Sequence, residues 1–88
     1  MTTIAEQVKA IAESREYGAI SFYAGQAQYL EGGGFKTVRF PGWHEEKKRV
    51  NDKGRTTYAL GRYSDNSTLE YRWSENGGMK LKAEEGKP

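Results

Sequence analysis

Three polar, turn-forming stretches cut the second half of this chain into short pieces: Asn51-Asp52-Lys53-Gly54, Ser64-Asp65-Asn66-Ser67 and Glu75-Asn76-Gly77-Gly78. They begin 13 and then 11 residues apart. Each offers residue types that bend a backbone: glycine reaches positive φ without a clash, and Asn, Asp and Ser hydrogen-bond the main chain two residues on. A parallel strand pair needs a crossover of a dozen or more residues, which these intervals cannot hold. Neighbouring pieces must therefore return antiparallel, as a meander. The piece at 68–74 shows the strand period directly, with Leu69, Tyr71 and Trp73 alternating with Glu70, Arg72 and Ser74. After the hairpin signal Asn76-Gly77, Met79 and Leu81 point one way and Lys80 and Lys82 the other. Residues 35–40, stopped by Pro41-Gly42, and residues 43–50 and 55–63 read as further strands. An apolar side and a polar side mark a sheet covered on one face.

The cover lies at the N-terminus. Thr3-Ile4-Ala5-Glu6 fits a capping box, in which Thr3 accepts from the Glu6 N–H and Glu6 reaches back to Thr3. Ile4, Val8 and Ile11 follow at helical spacing with Ala5 and Ala12 beside them, and Gly18 is placed to end a helix over 4–16. A helix this short is marginal alone and must pack. Between it and the meander, Ile20, Phe22 and Ala24 alternate with Ser21 and Tyr23 as in a strand. Gly25-Gln26 can turn the chain, and residues 28–30 can return as a strand or a short helix. Gly32-Gly33-Gly34 reads as a flexible connector. The expected fold class is α+β: one N-terminal helix packed on a four- to five-stranded antiparallel meander sheet. Residues 1–83 form a single domain and residues 84–88 a flexible tail.

Leu, Ile, Val and Phe supply only 13 of 88 residues, under the roughly 20% at which disorder becomes a concern. A net charge of +2 is too small to keep the chain open, and six Tyr, three Phe and two Trp supply the missing bulk. The core is thin and aromatic, with some tyrosines half exposed. The absence of cysteine excludes disulfides, thiolate metal sites and cysteine catalysis. No stretch approaches the ~20 apolar residues of a membrane span. No N-terminal apolar core with a small-residue cleavage site directs secretion, so a cytoplasmic location is expected.

No motif announces a chemistry. His44 is the one histidine, whereas a catalytic zinc takes about three protein ligands. Glu45, Glu46, Asp52 and Glu70 lie in polar alternating runs or turns, where solvated charges are ordinary. Glu45-x-Lys47 has the spacing of the nuclease (D/E)xK core without its Pro-Asp step. Gly32-Gly33-Gly34-Phe35-Lys36-Thr37 lacks the Gly-Lys-Ser/Thr that opens a helix in a phosphate loop. Gly34, Phe35, Val38 and Phe40 fit four positions of the RNP1 pattern, but Thr37 stands where a stacking aromatic belongs and the element order is wrong for an RRM. With no nucleophile, base and orienter together, neither catalysis nor a cofactor or metal is expected.

Charge, however, is uneven. Residues 1–34 carry a net −2. Residues 36–62 carry a net +5, from Lys36, Arg39, Lys47, Lys48, Arg49, Lys53, Arg55 and Arg62 against Glu45, Glu46 and Asp52. Aromatic residues interleave these bases. If strands 43–50 and 55–63 pair, one sheet face gathers many of them, and the expected partner-binding residues are Arg39, Trp43, Lys47, Arg49, Arg55, Tyr58, Arg62 and Tyr63. Tyr, Trp and Arg anchor protein interfaces, and cations with aromatic rings also bind phosphates and stack bases. Solvated strand cations that block edge aggregation have the same composition. The reading taken forward is a small stand-alone protein-binding module, an inhibitor or adaptor acting by steric occlusion, of the kind phages and mobile elements encode against host defence. The alternative is a nucleic-acid-binding module using the same face. Open strand edges leave room for a homodimer.

Overall fold

The structure, a computed structural model, describes residues 2–15 and 20–86. The three turns read from the sequence separate four antiparallel strands: β4 (His44–Val50), β5 (Thr56–Arg62), β6 (Thr68–Ser74) and β7 (Gly78–Glu84), in spatial order β4-β5-β6-β7. Their register carries alternation through the whole sheet. Leu69 lies opposite Gly61 and Ala83, Tyr71 opposite Ala59 and Leu81, and Trp73 opposite Met79. These residues form the inner face. β7 runs to Glu84, the first residue of the expected tail, because Ala83 is buried in the core and keeps the strand paired.

The first half departs from the expected single sheet. Residues 20–38 form their own three-stranded antiparallel sheet of β1 (Ile20–Tyr23), β2 (Gln26–Glu31) and β3 (Gly34–Val38). The fold is thus α+β with two meander sheets, of three and four strands. Residues 28–30 are strand, since Ala27 and Tyr29 face the core while Gln28 and Leu30 face away. The glycine triplet is a hairpin turn and not a loose connector. Gly32 and Gly33 take φ of +60° and +80°, as a tight two-residue hairpin requires, and Gly34 already pairs with Glu31.

Helix α1 (Ile4–Glu13) buries Ile4, Ala5, Val8 and Ala12 and packs along β7. It stops three residues short of the expected 4–16: Ser14 caps it, its N–H donating to the Ala10 carbonyl and its hydroxyl to the Ile11 carbonyl. The proposed stop at Gly18 lies outside the described residues. At the other end, Thr3 Oγ1 accepts from the Glu6 N–H at 3.1 Å as expected. Glu6 itself turns to Glu85, whose hydrogen bond raises its pKa above the ordinary glutamate value. Two further helix donors are satisfied by the β5–β6 turn: the Ile4 N–H donates to Asp65 Oδ2 at 2.8 Å and the Ala5 N–H to the buried Ser67 Oγ at 3.1 Å. This turn therefore fastens the helix to the sheet.

Burial pushes the Asp65 carboxyl up. The N–H groups of Ile4 and Ser67 and the Ser67 hydroxyl outweigh that and hold it below the ordinary aspartate value. A depressed folded pKa adds stability above the unfolded value, near 3.9, and that stability disappears as pH falls through the folded pKa. Asp65 accepts through both oxygens, from the Ile4 and Ser67 N–H groups, and an amide keeps only one of them, so Asp65→Asn is expected to cost about 1 kcal/mol at neutral pH, a drop of roughly 4–8 °C in Tm. Thermal melts of both proteins should converge on acidification below the ordinary aspartate range. A gap that persists at low pH would mean that the charge is not what matters.

Both sheets and the helix meet in one core, made by Ile4, Val8, Ile20, Ala27, Tyr29, Phe40, Tyr63, Leu69, Met79 and Ala83. The shortest dimension is 18 Å, close to two layers spaced ~10 Å apart. Tyr63 meets Phe40 edge-on with centroids 5.8 Å apart, and Trp43 lies 4.9 Å from Tyr63. At the far corner the Arg15 guanidinium lies 3.7 Å above the Tyr29 ring.

Candidate partner-binding face

Period two sends every second residue of the four-stranded sheet away from the helix and the three-stranded sheet. Among the described residues nothing lies over this outer face. The register aligns its side chains in cross-strand rows. Arg49 faces Tyr58, which faces Arg72, which faces Lys80; in the next row are Lys47, Leu60, Glu70 and Lys82; beyond it are His44, Arg62, Thr68 and Glu84. Strands hold these positions more rigidly than loops would.

Tyr58 is the centre of the arrangement. Its ring is half-buried between two guanidinium groups, Arg72 at 5.2 Å and Arg49 at 5.7 Å from the centroid, inside the ~6 Å range of cation–π attraction. Its hydroxyl donates to Glu70 Oε2 at 3.2 Å, and Arg72 Nε donates to Glu70 Oε1 at 3.2 Å. The Arg72 hydrogen bond holds the Glu70 carboxyl below the ordinary glutamate value, against the opposing effect of burial and with help from the Tyr58 hydroxyl, so Glu70 stays ionised at neutral pH. The ring is thereby fixed in one orientation. Arg62 pairs with Glu46 at 3.4 Å, and Lys82 with Glu84 at 3.1 Å. Among the described residues Lys47, Arg49 and Lys80 have no carboxylate within 4 Å. Arg72 and Lys80 are like charges placed directly opposite each other, an arrangement that costs stability.

No protein-family model, curated protein or solved structure matches this chain. Its function must be read from the geometry.

That geometry divides the eight residues expected to bind a partner. Lys47, Arg49, Tyr58 and Arg62 do share the outer face. Tyr63 does not: it is only 3% exposed, and its hydroxyl donates to the Gly25 carbonyl at 2.7 Å. Desolvation raises its pKa well above the ordinary tyrosine value. Trp43 is half-buried, its indole laid flat between Gly25 and Gly61, where any Cβ would strike the ring. Tyr63 is a core residue and Trp43 packs against the core, because Trp43 precedes β4 and Tyr63 follows β5, where the chain turns over the sheet end toward Phe40. Arg55 also leaves the patch, its guanidinium 3.9 Å above the Trp73 ring on the inner side. Arg39 is exposed just past β3, away from the outer-face rows.

Leu60, Glu70, Arg72, Lys80 and Lys82 were missed, although they complete the face. A turn centred on Asp65 puts Arg72 opposite Tyr58, so the 64–67 turn held the signal for the first three. On the inner side, a cavity of about 300 Å³ lies between β1 and the four-stranded sheet, lined by Ile20, Ser21, Arg55, Tyr71, Trp73, Gly78 and Met79. It brings no acid, base and nucleophile together. Among the described residues no three His, Cys, Asp or Glu side chains converge on a point, and no helix is long and apolar enough to cross a membrane.

Proposed function

We propose that this chain is a small cytoplasmic protein-binding module without catalytic activity, an inhibitor or adaptor that docks through the outer face of its four-stranded sheet. The observation that carries this reading is Tyr58, pinned by Glu70 between Arg49 and Arg72 on an uncovered face. Aromatic and arginine anchors held in one rotamer lose little entropy on binding, which is how interface hot spots work. Leu60 extends the apolar centre, and the charged rows form a polar rim. The partner surface this face fits sets acidic side chains opposite Lys47, Arg49 and Lys80, keeps them away from Glu46, Glu70 and Glu84, and offers an apolar recess to the ring. A rigid plate of this kind acts by steric occlusion, covering a working surface of its partner. Its size suits the inhibitors that phages and mobile elements direct against host defence.

Nucleic acid is the second reading, favoured by Arg49, Lys47 and Lys80, which have no carboxylate within 4 Å among the described residues. The carboxylates of Glu46, Glu70 and Glu84 weigh against it, since they stand among those cations and repel phosphates. Fluorescent single-stranded and duplex oligonucleotides titrated at low salt decide between the two. No saturable binding is expected. Binding that weakens with salt at a log–log slope of about −0.9 per neutralised phosphate would replace the protein-binding reading with the nucleic-acid one.

A further inference from the structure

Each sheet ends in two strands with one unpaired edge, and such edges invite pairing with another chain unless something blocks them. Three of the four edges here are blocked. β4 carries His44, Glu45, Glu46, Lys47, Lys48 and Arg49 in succession and is broken by two register shifts. β7 has helix α1 packed along it and alternates Lys80, Lys82 and Glu84. β1 is four residues long and borders the cavity walled by Arg55, Tyr71 and Trp73 of the other sheet.

Among the described residues β3 has no covering helix, no register shift and no run of charges. It is Gly34-Phe35-Lys36-Thr37-Val38, regularly paired to β2 on one side and to no described strand on the other. Its one charge, Lys36, is bonded to Glu31 of the neighbouring strand at 3.2 Å. The face it shares with β1 and β2 is also unlike the rest of the surface. Ser21, Tyr23, Gln28, Leu30, Phe35 and Thr37 project from it, and none is charged. Leu30 and Phe35 are cross-strand partners, 64% and 67% exposed.

We propose that β3 is a self-association edge, on which a second copy of this chain adds its own β3 antiparallel to make one six-stranded sheet across a two-fold axis. A two-fold interface sets each patch against itself, so a cationic face would repel its copy while an uncharged one does not. The register that puts Thr37 opposite Thr37 of the second copy pairs Lys36 with Val38 and Phe35 with Arg39. Sliding one position toward Lys36 would set two lysines against each other, which is unfavourable. One five-residue strand per copy is a small contact. The association is therefore weak and forms as concentration rises toward millimolar. It uses a different surface from Tyr58 and does not depend on the proposed function.

Sedimentation velocity from micromolar to millimolar protein tests this. The mass is expected to rise from 9.9 kDa toward twice that value and stop there. Thr37→Lys, on an exposed position, should keep the protein monomeric throughout, and Tyr58→Ala should leave the dimer unchanged. Because the chain has no cysteine, Thr37→Cys gives an independent readout that needs no disrupted variant. A short bis-maleimide should join two copies at least tenfold faster through Thr37→Cys than through Asp52→Cys on the distant turn. A monomer at millimolar concentration, growth beyond two copies, or equal cross-linking at the two positions would overturn the proposal.

Discussion

Trp43→Ala is expected to cost about 2–4 kcal/mol, the lower part of the range for large-to-small substitutions, because the indole packs on the edge of the core and is partly exposed. At roughly 0.05–0.15 kcal/mol per residue, that is about 15% or more of the stability an 88-residue domain can have. The size follows from position. The indole fills the space between Gly25 and Gly61, packs on Tyr63, and so joins the turn after β1 to the end of β5. Gly61→Val attacks the same contact from the strand side, since its branched side chain needs the volume the indole occupies. It is expected to leave the protein largely unfolded. The two changes should be strongly non-additive, because removing Trp43 also removes what valine strikes. Urea denaturation of both single variants and the double variant measures this. Losses that simply add, or a Trp43→Ala cost under 1 kcal/mol, would mean that the indole is a surface group.

Tyr58→Ala should do the opposite, leaving stability almost unchanged and removing binding. The ring is half exposed on the outer face, so its loss opens no core cavity. Truncating a central aromatic anchor costs about 2 kcal/mol or more in affinity, close to thirtyfold in Kd. Tyr58→Phe keeps the ring but frees it from Glu70, and is expected to lose only a few-fold. Arg49→Ala should fall between the two. Isothermal titration against the partner gives these values. Equal affinity for Tyr58→Ala and the parent protein would move the interface elsewhere.

The two halves of the chain differ in how openly they declare their structure. Strands β5, β6 and β7 were legible because the turns between them carry Asn, Asp, Ser and Gly at similar intervals, and β6 and β7 also alternate apolar and polar residues. The helix start was legible in Thr3, whereas its end was not: Ser14 stops it by bonding back to the preceding turn, and serine at such a position has no fixed meaning. The three-stranded sheet was hidden by Gly32-Gly33-Gly34. A glycine run can equally be a slack linker or the two positive-φ positions of a hairpin, and only pairing across it decides. The binding face was half legible. Composition marked the basic, aromatic segment but carries no direction, so it merged Tyr58, which faces out, with Tyr63 and Trp43, which turn inward at the sheet end. Registering strands through their turns separates them and adds Arg72 and Glu70.

The outer face can be tested without knowing the partner in advance. Affinity capture from nuclease-treated native host extract, quantified by mass spectrometry, is run in parallel with the parent protein, Tyr58→Ala, and Tyr23→Ala on the opposite sheet. The expected result is at least one protein held by the parent and by Tyr23→Ala and lost with Tyr58→Ala. Identical sets captured by all three proteins, or a set lost only with Tyr23→Ala, would contradict a binding face built around Tyr58.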